Sequence, residues 1–324
     1  MVGAGNLGTT LANLLVAHRA LLGIDEVLVR KVREAPAYDV PDLELLQARG
    51  VRVVRAVPES VDYVFECRKE GAALRDRELY LGMPHLRGAS AQGSEAGFGT
   101  PFVGGINAQA IAVARLVQIA SCNTHATATL LAALGGPRLE ELEEADLVCV
   151  RRCEDLGSRE RLVGASVVAR HHHPDHGTHH AADAARVFAT LDLAPRITSS
   201  DVTTPSQLMH TVRFHLRLKQ PRALAQVVAA LQRRPQLATT GKFDSNRVFE
   251  LGRRYGFQGR LYAHAIVVAS DLLVRDSSVR GWAFVPQEGN TLLSTVDAFL
   301  LQTGPERHEA VMAELTRALV ERTL

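Results

Sequence analysis

Gly3-Ala4-Gly5-Asn6-Leu7-Gly8 stands almost at the start of the chain, and Leu7, Leu11, Leu14 and Leu15 then fall on one helical face. This order predicts a tight turn into a helix N-terminus, with glycines where the backbone must approach a pyrophosphate closely. The bland alternative is a glycine-rich turn with no ligand. Strand and helix signals alternate from there: a strand at 26–30, a helix at 43–48, and strands at 51–54 and 63–67. A helix and a strand up to Ala91 follow, then short strands at 101–106 and 116–120. Such alternation predicts a doubly wound parallel sheet. Only Met1 and Val2 precede Gly3, against the about five residues usual in a strand. A full feeding strand is therefore expected to begin upstream of Met1.

After Cys122 the texture changes. Segments 147–150, 165–169, 196–204 and 208–218 read as strands with no helix after each, which predicts a mixed or antiparallel sheet in a second domain. Helices are expected at 222–233, 245–255, 292–301 and 306–322. A net charge of +2 makes no case for nucleic acid, and no apolar run reaches the roughly 18 residues of a membrane span. Cys67, Cys122, Cys149 and Cys153 are expected as free thiols of a cytoplasmic protein.

Cys122 carries the first chemical signal. The apolar run 116–120 stops at Ser121-Cys122-Asn123-Thr124, and a helix follows. A cysteine there meets unpaired backbone N–H groups and the positive end of a helix dipole, which favour thiolate. The same groups can hold an oxyanion formed by attack on a carbonyl. The alternative is a small buried hydrophobe. A thiolate nucleophile wants a proton acceptor. The run 208–218 alternates, which places His210 with Val212, Phe214, Leu216 and Leu218, and His215 with the polar row. His210 is thus the better placed acceptor, although it can also be a satisfied core histidine. His171-His172-His173-Pro174-Asp175-His176-Gly177-Thr178-His179-His180 can contact an anion, bind a metal or form a polar loop. Its spacing matches no standard zinc framework, so no metal is expected. Arg30, Lys31 and Arg33 end the second strand with no carboxylate before Glu34. They suit a 2′-phosphate, so NADP is expected to serve at least as well as NAD. A solvated basic loop is the alternative.

Ser121-Cys122-Asn123-Thr124, Arg151-Arg152, His171-His172 with Pro174-Asp175, Thr203-Thr204-Pro205 with Leu208-Met209-His210, and Gln287-Glu288 occur in one order. Over essentially the whole chain this order resembles the archaeal-type (type II) glyceraldehyde-3-phosphate dehydrogenases. The resemblance implies a Rossmann domain of residues 1–121 completed by 288–324, and an α+β catalytic domain of residues 122–287. It implies Cys122 as nucleophile, His210 as base, and Ser121, Asn123 and Thr124 lining the substrate pocket. His171, His172 and His173, with Arg152, would reach phosphate or cofactor. Gly3, Gly5, Asn6, Leu7, Gly8, Gln92-Gly93-Ser94 and Gln287 would touch NAD or NADP. A phosphorylated aldehyde and inorganic phosphate are the implied substrates, and a homotetramer the implied assembly. The alternatives are a relative acting on another aldehyde or acceptor, and a dinucleotide-binding sensor of low turnover. The chain departs from the family at His125, where a threonine is usual, and at His173, where a glycine is usual. It departs also in a longer loop at 177–187, in Glu66-Cys67-Arg68, in its short first strand and in a short segment after Arg30.

Overall fold

A computed structural model describes residues 1–31, 40–69, 71–93, 95–154, 163–206 and 208–324, which divide into two compact units. The first comprises 1–104, 108–119 and 292–314, and the second comprises 105–107, 120–291 and 315–324. The expected return to the first unit at 288 thus comes at 292. The last ten residues belong to the second unit, where Thr323 bridges Thr239 and the Leu324 N–H donates to the Thr239 carbonyl at 2.9 Å.

The first unit is a parallel α/β layer. Its strands are β1 (Leu28–Arg30), β2 (Arg52–Val54), β3 (Tyr63–Glu66), β4 (Gly88–Ala91), β5 (Thr100–Phe102) and β6 (Leu116–Ile119). β1 pairs with β2, and β3-β4-β6-β5 form a second ladder, every pair parallel. Val2 bridges Arg30 on one side and Glu66 on the other, so this two-residue stub joins the ladders where the strand order reverses. Strands buried on both faces read as continuous apolar runs. In β6, Leu116 packs with Val2, Val64, Ala89 and Ala91, while Val117 and Ile119 pack with Phe102, Ile111 and Ala298 of the helix Leu292–Thr303.

The second unit is built on a mixed sheet. It holds β7 (Leu142–Arg152), β8 (Val167–Val168), β9 (Ile197–Thr204), β10 (His210–Leu218), β11 (Leu237–Thr240), β12 (Ala265–Val268), β13 (Leu273–Arg275) and β14 (Ser278–Val285). Their order is β11-β12-β14-β10-β7-β9-β8, with β13 paired to β14. β7 with β9 and β11 with β12 are parallel, and the other pairs are antiparallel. Helices Cys122–Gly135, His179–Ala189 and Leu224–Gln232 pack on the sheet. The first of these is buried from Asn123 to Gly135, as small residues such as Ala126, Ala128 and Ala132 allow. The long loop expected at 177–187 is instead the helix His179–Ala189. Ala181, Ala184, Val187 and Phe188 give it a buried face at helical spacing.

Candidate active site

β6 ends at Ile119, and Cys122 is the first residue of the helix Cys122–Gly135. Ser121 is its extended N-cap, with Oγ accepting the Thr124 N–H at 3.4 Å and lying 2.8 Å from Thr124 Oγ1. A serine there satisfies one orphan donor of the first turn. Cys122 is half-buried, and none of the four cysteines is in a disulfide. Asn123 and Thr124 are buried, with Asn123 Oδ1 lacking a hydrogen-bond partner among the described residues.

The start of this helix is held from two directions. Fully buried Asn290 donates from Nδ2 to the Cys122 carbonyl at 3.0 Å and to the His264 carbonyl at 3.1 Å. His125 Nδ1 donates to the Ser121 carbonyl at 3.0 Å, and the His125 ring meets His264 edge to face at 4.8 Å. Burial pulls His125 down to about 4 and His264 well below the usual imidazole range, so both rings are neutral at pH 7. His125 therefore acts as a fastening for the N-cap.

His210 lies in the buried row of β10, as its parity predicts, and His215 lies in the half-buried row. Its Nδ1 accepts the Arg152 backbone N–H at 3.0 Å. An amide can only donate, so Nδ1 has no proton and the neutral ring carries its proton on Nε2. Burial and the Arg152, Arg151 and His180 charges hold its pKa well below the usual value. The buried Arg152 guanidinium pairs with buried Glu288. Glu288 and Asn290 share the short loop after β14, so one loop fastens both the Cys122 carbonyl and the arginine whose amide holds His210.

His171 is seated elsewhere. Its Nε2 lies 3.0 Å from Ser200 Oγ, in a shallow depression lined also by Asp146, His172, His173 and Ser199. Ser200 alternates with Asp201 along β9, so His171 lies on the face opposite Asp201. His173 is close enough to His179 for its charge to be felt there.

The glycine turn belongs to the first unit. Gly3 has φ +98°, a conformation that favours glycine. A Cβ on Gly8 would stand 2.4 Å from the Gly3 carbonyl oxygen. A Cβ on Gly5 would meet nothing within 4 Å, and Gly5 caps the helix Asn6–Ala17 with no side chain of its own. Asn6 and Leu7 open that helix. Arg30 ends β1 with its guanidinium 3.8 Å from Asp76, which also takes Arg68 at 2.6 Å. Gly93 follows β4 at φ +82°. Arg33, Glu34 and Ser94 lie outside the described residues, while Arg152 and Gln287 belong to the second unit.

Sequence reasoning passed over Asn290, His264 and Glu288 as site residues, although Gln287-Glu288-Gly289-Asn290 is a polar run flanked by apolar segments. No protein-family model matches this chain, and no curated protein sequence does. Among the described residues no helix is long and apolar enough to cross a membrane.

Proposed function

We propose that this chain is an NAD(P)-dependent aldehyde dehydrogenase working through a thioester on Cys122, as its resemblance to the archaeal-type glyceraldehyde-3-phosphate dehydrogenases implies. One observation carries the reading: Cys122 opens a buried helix whose first turn is fastened through the same loop that supports His210. The first unit is then a Rossmann domain, supported by a strand order that reverses at Val2 and by the glycine turn that follows it. The open space at Gly5, on an uncapped helix N-terminus, fits a pyrophosphate. A bound dinucleotide supplies the hydride acceptor.

The chain's own groups do the rest. Cys122 thiolate attacks the aldehyde carbon, while the first-turn N–H groups and the His210 Nε2–H hold the oxygen as it becomes an alkoxide. Collapse of that alkoxide expels hydride and leaves a thioester, with no proton to remove. Inorganic phosphate then attacks the acyl carbon, releasing an acyl phosphate and the Cys122 sulfur. By the same resemblance the substrate is a phosphorylated aldehyde, with NADP serving at least as well as NAD. A second reading, the same chemistry on another aldehyde, is favoured by the seat of His171 beside Ser200.

The test is to mix the protein with glyceraldehyde 3-phosphate and NADP⁺ without phosphate, quench in acid and weigh the peptides. An acyl mass on the Cys122 peptide, discharged by added phosphate, is expected. Cys122→Ser should carry none and still bind dinucleotide. Turnover above a few per cent in that variant refutes the proposal.

A further inference from the structure

We infer that His179, His180 and Asp201 form a site for a first-row divalent transition ion such as zinc. The three offer one ligand atom each, all within 4.8 Å of one another. His179 and His180 open the helix His179–Ala189, and Asp201 lies across from them in β9.

Two buried groups point to an ion. His180 is 2% exposed; among the described residues its Nδ1 has no hydrogen-bond partner and its Nε2 faces only Asp201, at 3.4 Å and without hydrogen-bond geometry. Asp201 is 3% exposed, and its Oδ1 has no hydrogen-bond partner among the described residues. Buried polar groups in native proteins nearly always have partners, so orphaned atoms on two converging side chains call for one. The gap between them suits a metal better than a proton. His180 Nε2 and Asp201 Oδ2 stand 3.4 Å apart, longer than an N–H···O bond. Two ligands of one tetrahedral zinc, each about 2.0–2.2 Å from the ion, stand about 3.4 Å apart. Two imidazoles and a carboxylate are also a donor set that zinc takes, with a fourth position left for water.

The neighbours decide against an anion. Among the described residues the Arg151 guanidinium, 3.9 Å from Asp201 Oδ2, is the cation that would draw an anion here, and it is already opposed by that carboxylate. Its side chain is 39% exposed, so it can turn to solvent when an ion neutralises Asp201. His171 and His172 line the depression beside Ser199 and Ser200, with His171 on the face of β9 opposite Asp201, and serve as the control.

The experiment is competition for Zn²⁺ against a chromophoric chelator, with Co²⁺ absorption as a second readout. The wild type should bind one Zn²⁺ per chain at micromolar Kd or tighter. Co²⁺ should give visible d–d bands without a thiolate charge-transfer band. His179→Ala with Asp201→Asn, one exposed group and one isosteric change, should weaken Zn²⁺ binding at least 30-fold. Circular dichroism should show that variant folded. His171→Ala/His172→Ala should bind within threefold of the wild type. Absent stoichiometric binding, a thiolate charge-transfer band, or loss only in the His171/His172 variant would overturn the assignment.

Discussion

Replacing His125 by threonine should flatten the acid side of the stability curve. His125 is fully buried with a pKa of about 4 in the folded chain, against about 6.5 when unfolded. Its folded pKa is depressed, so the stability it allows is complete above about pH 6.5 and is lost as pH falls towards 4. At pH 5 the unfolded imidazole is almost wholly protonated and the folded one almost wholly neutral. The difference removes about 2 kcal/mol relative to pH 8, and about 3 kcal/mol below pH 4. His264 and His210, shifted in the same direction, add to the fall in the wild type and remain in the variant. Threonine can still bond the Ser121 carbonyl one turn back. The decisive quantity is thus the difference between pH 8 and pH 5 rather than stability at either. Trp282, the sole tryptophan, lies on β14 in the same unit, so urea unfolding followed by its fluorescence reads the right element. With a urea slope of about 2 kcal/mol/M, the wild-type midpoint should fall about 1 M further than the variant midpoint between those pH values. A pH dependence within about 0.5 kcal/mol of the wild type would show that His125 titrates like a solvated histidine, and the reasoning fails.

Glu288→Gln should leave the buried Arg152 guanidinium uncompensated and cost about 3–5 kcal/mol, seen by calorimetry as a fall of roughly 6–20 °C. Arg152→Met with Glu288→Leu should recover most of that loss, and a single-variant cost below about 1 kcal/mol would contradict it. Gly8→Ala should destabilise the first unit by about 1–3 kcal/mol through its clash with the Gly3 carbonyl. Gly5→Ala should cost less than about 1 kcal/mol yet weaken dinucleotide binding in a fluorescence titration, because only the ligand's space is filled.

What was legible in the sequence was legible for local reasons. The row through His210, Val212, Phe214, Leu216 and Leu218 follows from the two-residue period, and the structure buries that row. The helix Ser245–Tyr255 and the parallel strand ahead of Cys122 follow from apolar spacing. The helix His179–Ala189 was hidden because two histidines at its start joined a histidine-rich run, although Ala181, Ala184, Val187 and Phe188 carry the helical period. The pairing of Asn290 with Cys122 spans 168 residues, and that of Arg152 with Glu288 spans 136. No periodicity reports contacts at such separation. Asp201 meets His180 only through strand register and helix placement, which is why a search for zinc spacing along the chain passed it over.

The same long-range geometry changes what His210 can do. The resemblance implies a base, and a base needs a bare Nε2. The Arg152 amide occupies Nδ1, so the neutral ring keeps its proton on Nε2 and is a donor. The thiolate route has no use for a base, because the alkoxide formed on attack can expel hydride directly. What it does need is a donor on the oxygen, worth about 10²–10³ in rate. Glutamine has the same two functions in one group, its Oε1 accepting the Arg152 N–H and its Nε2 donating outward. His210→Gln should therefore keep at least about one-tenth of the single-turnover hydride-transfer rate, while His210→Ala loses about 10²–10³. A base would be lost equally in both, since neither side chain can take a proton near neutral pH. Equal losses in rapid-mixing absorbance traces would return His210 to the role of base, and would require the Arg152 hydrogen bond to break in the reacting complex.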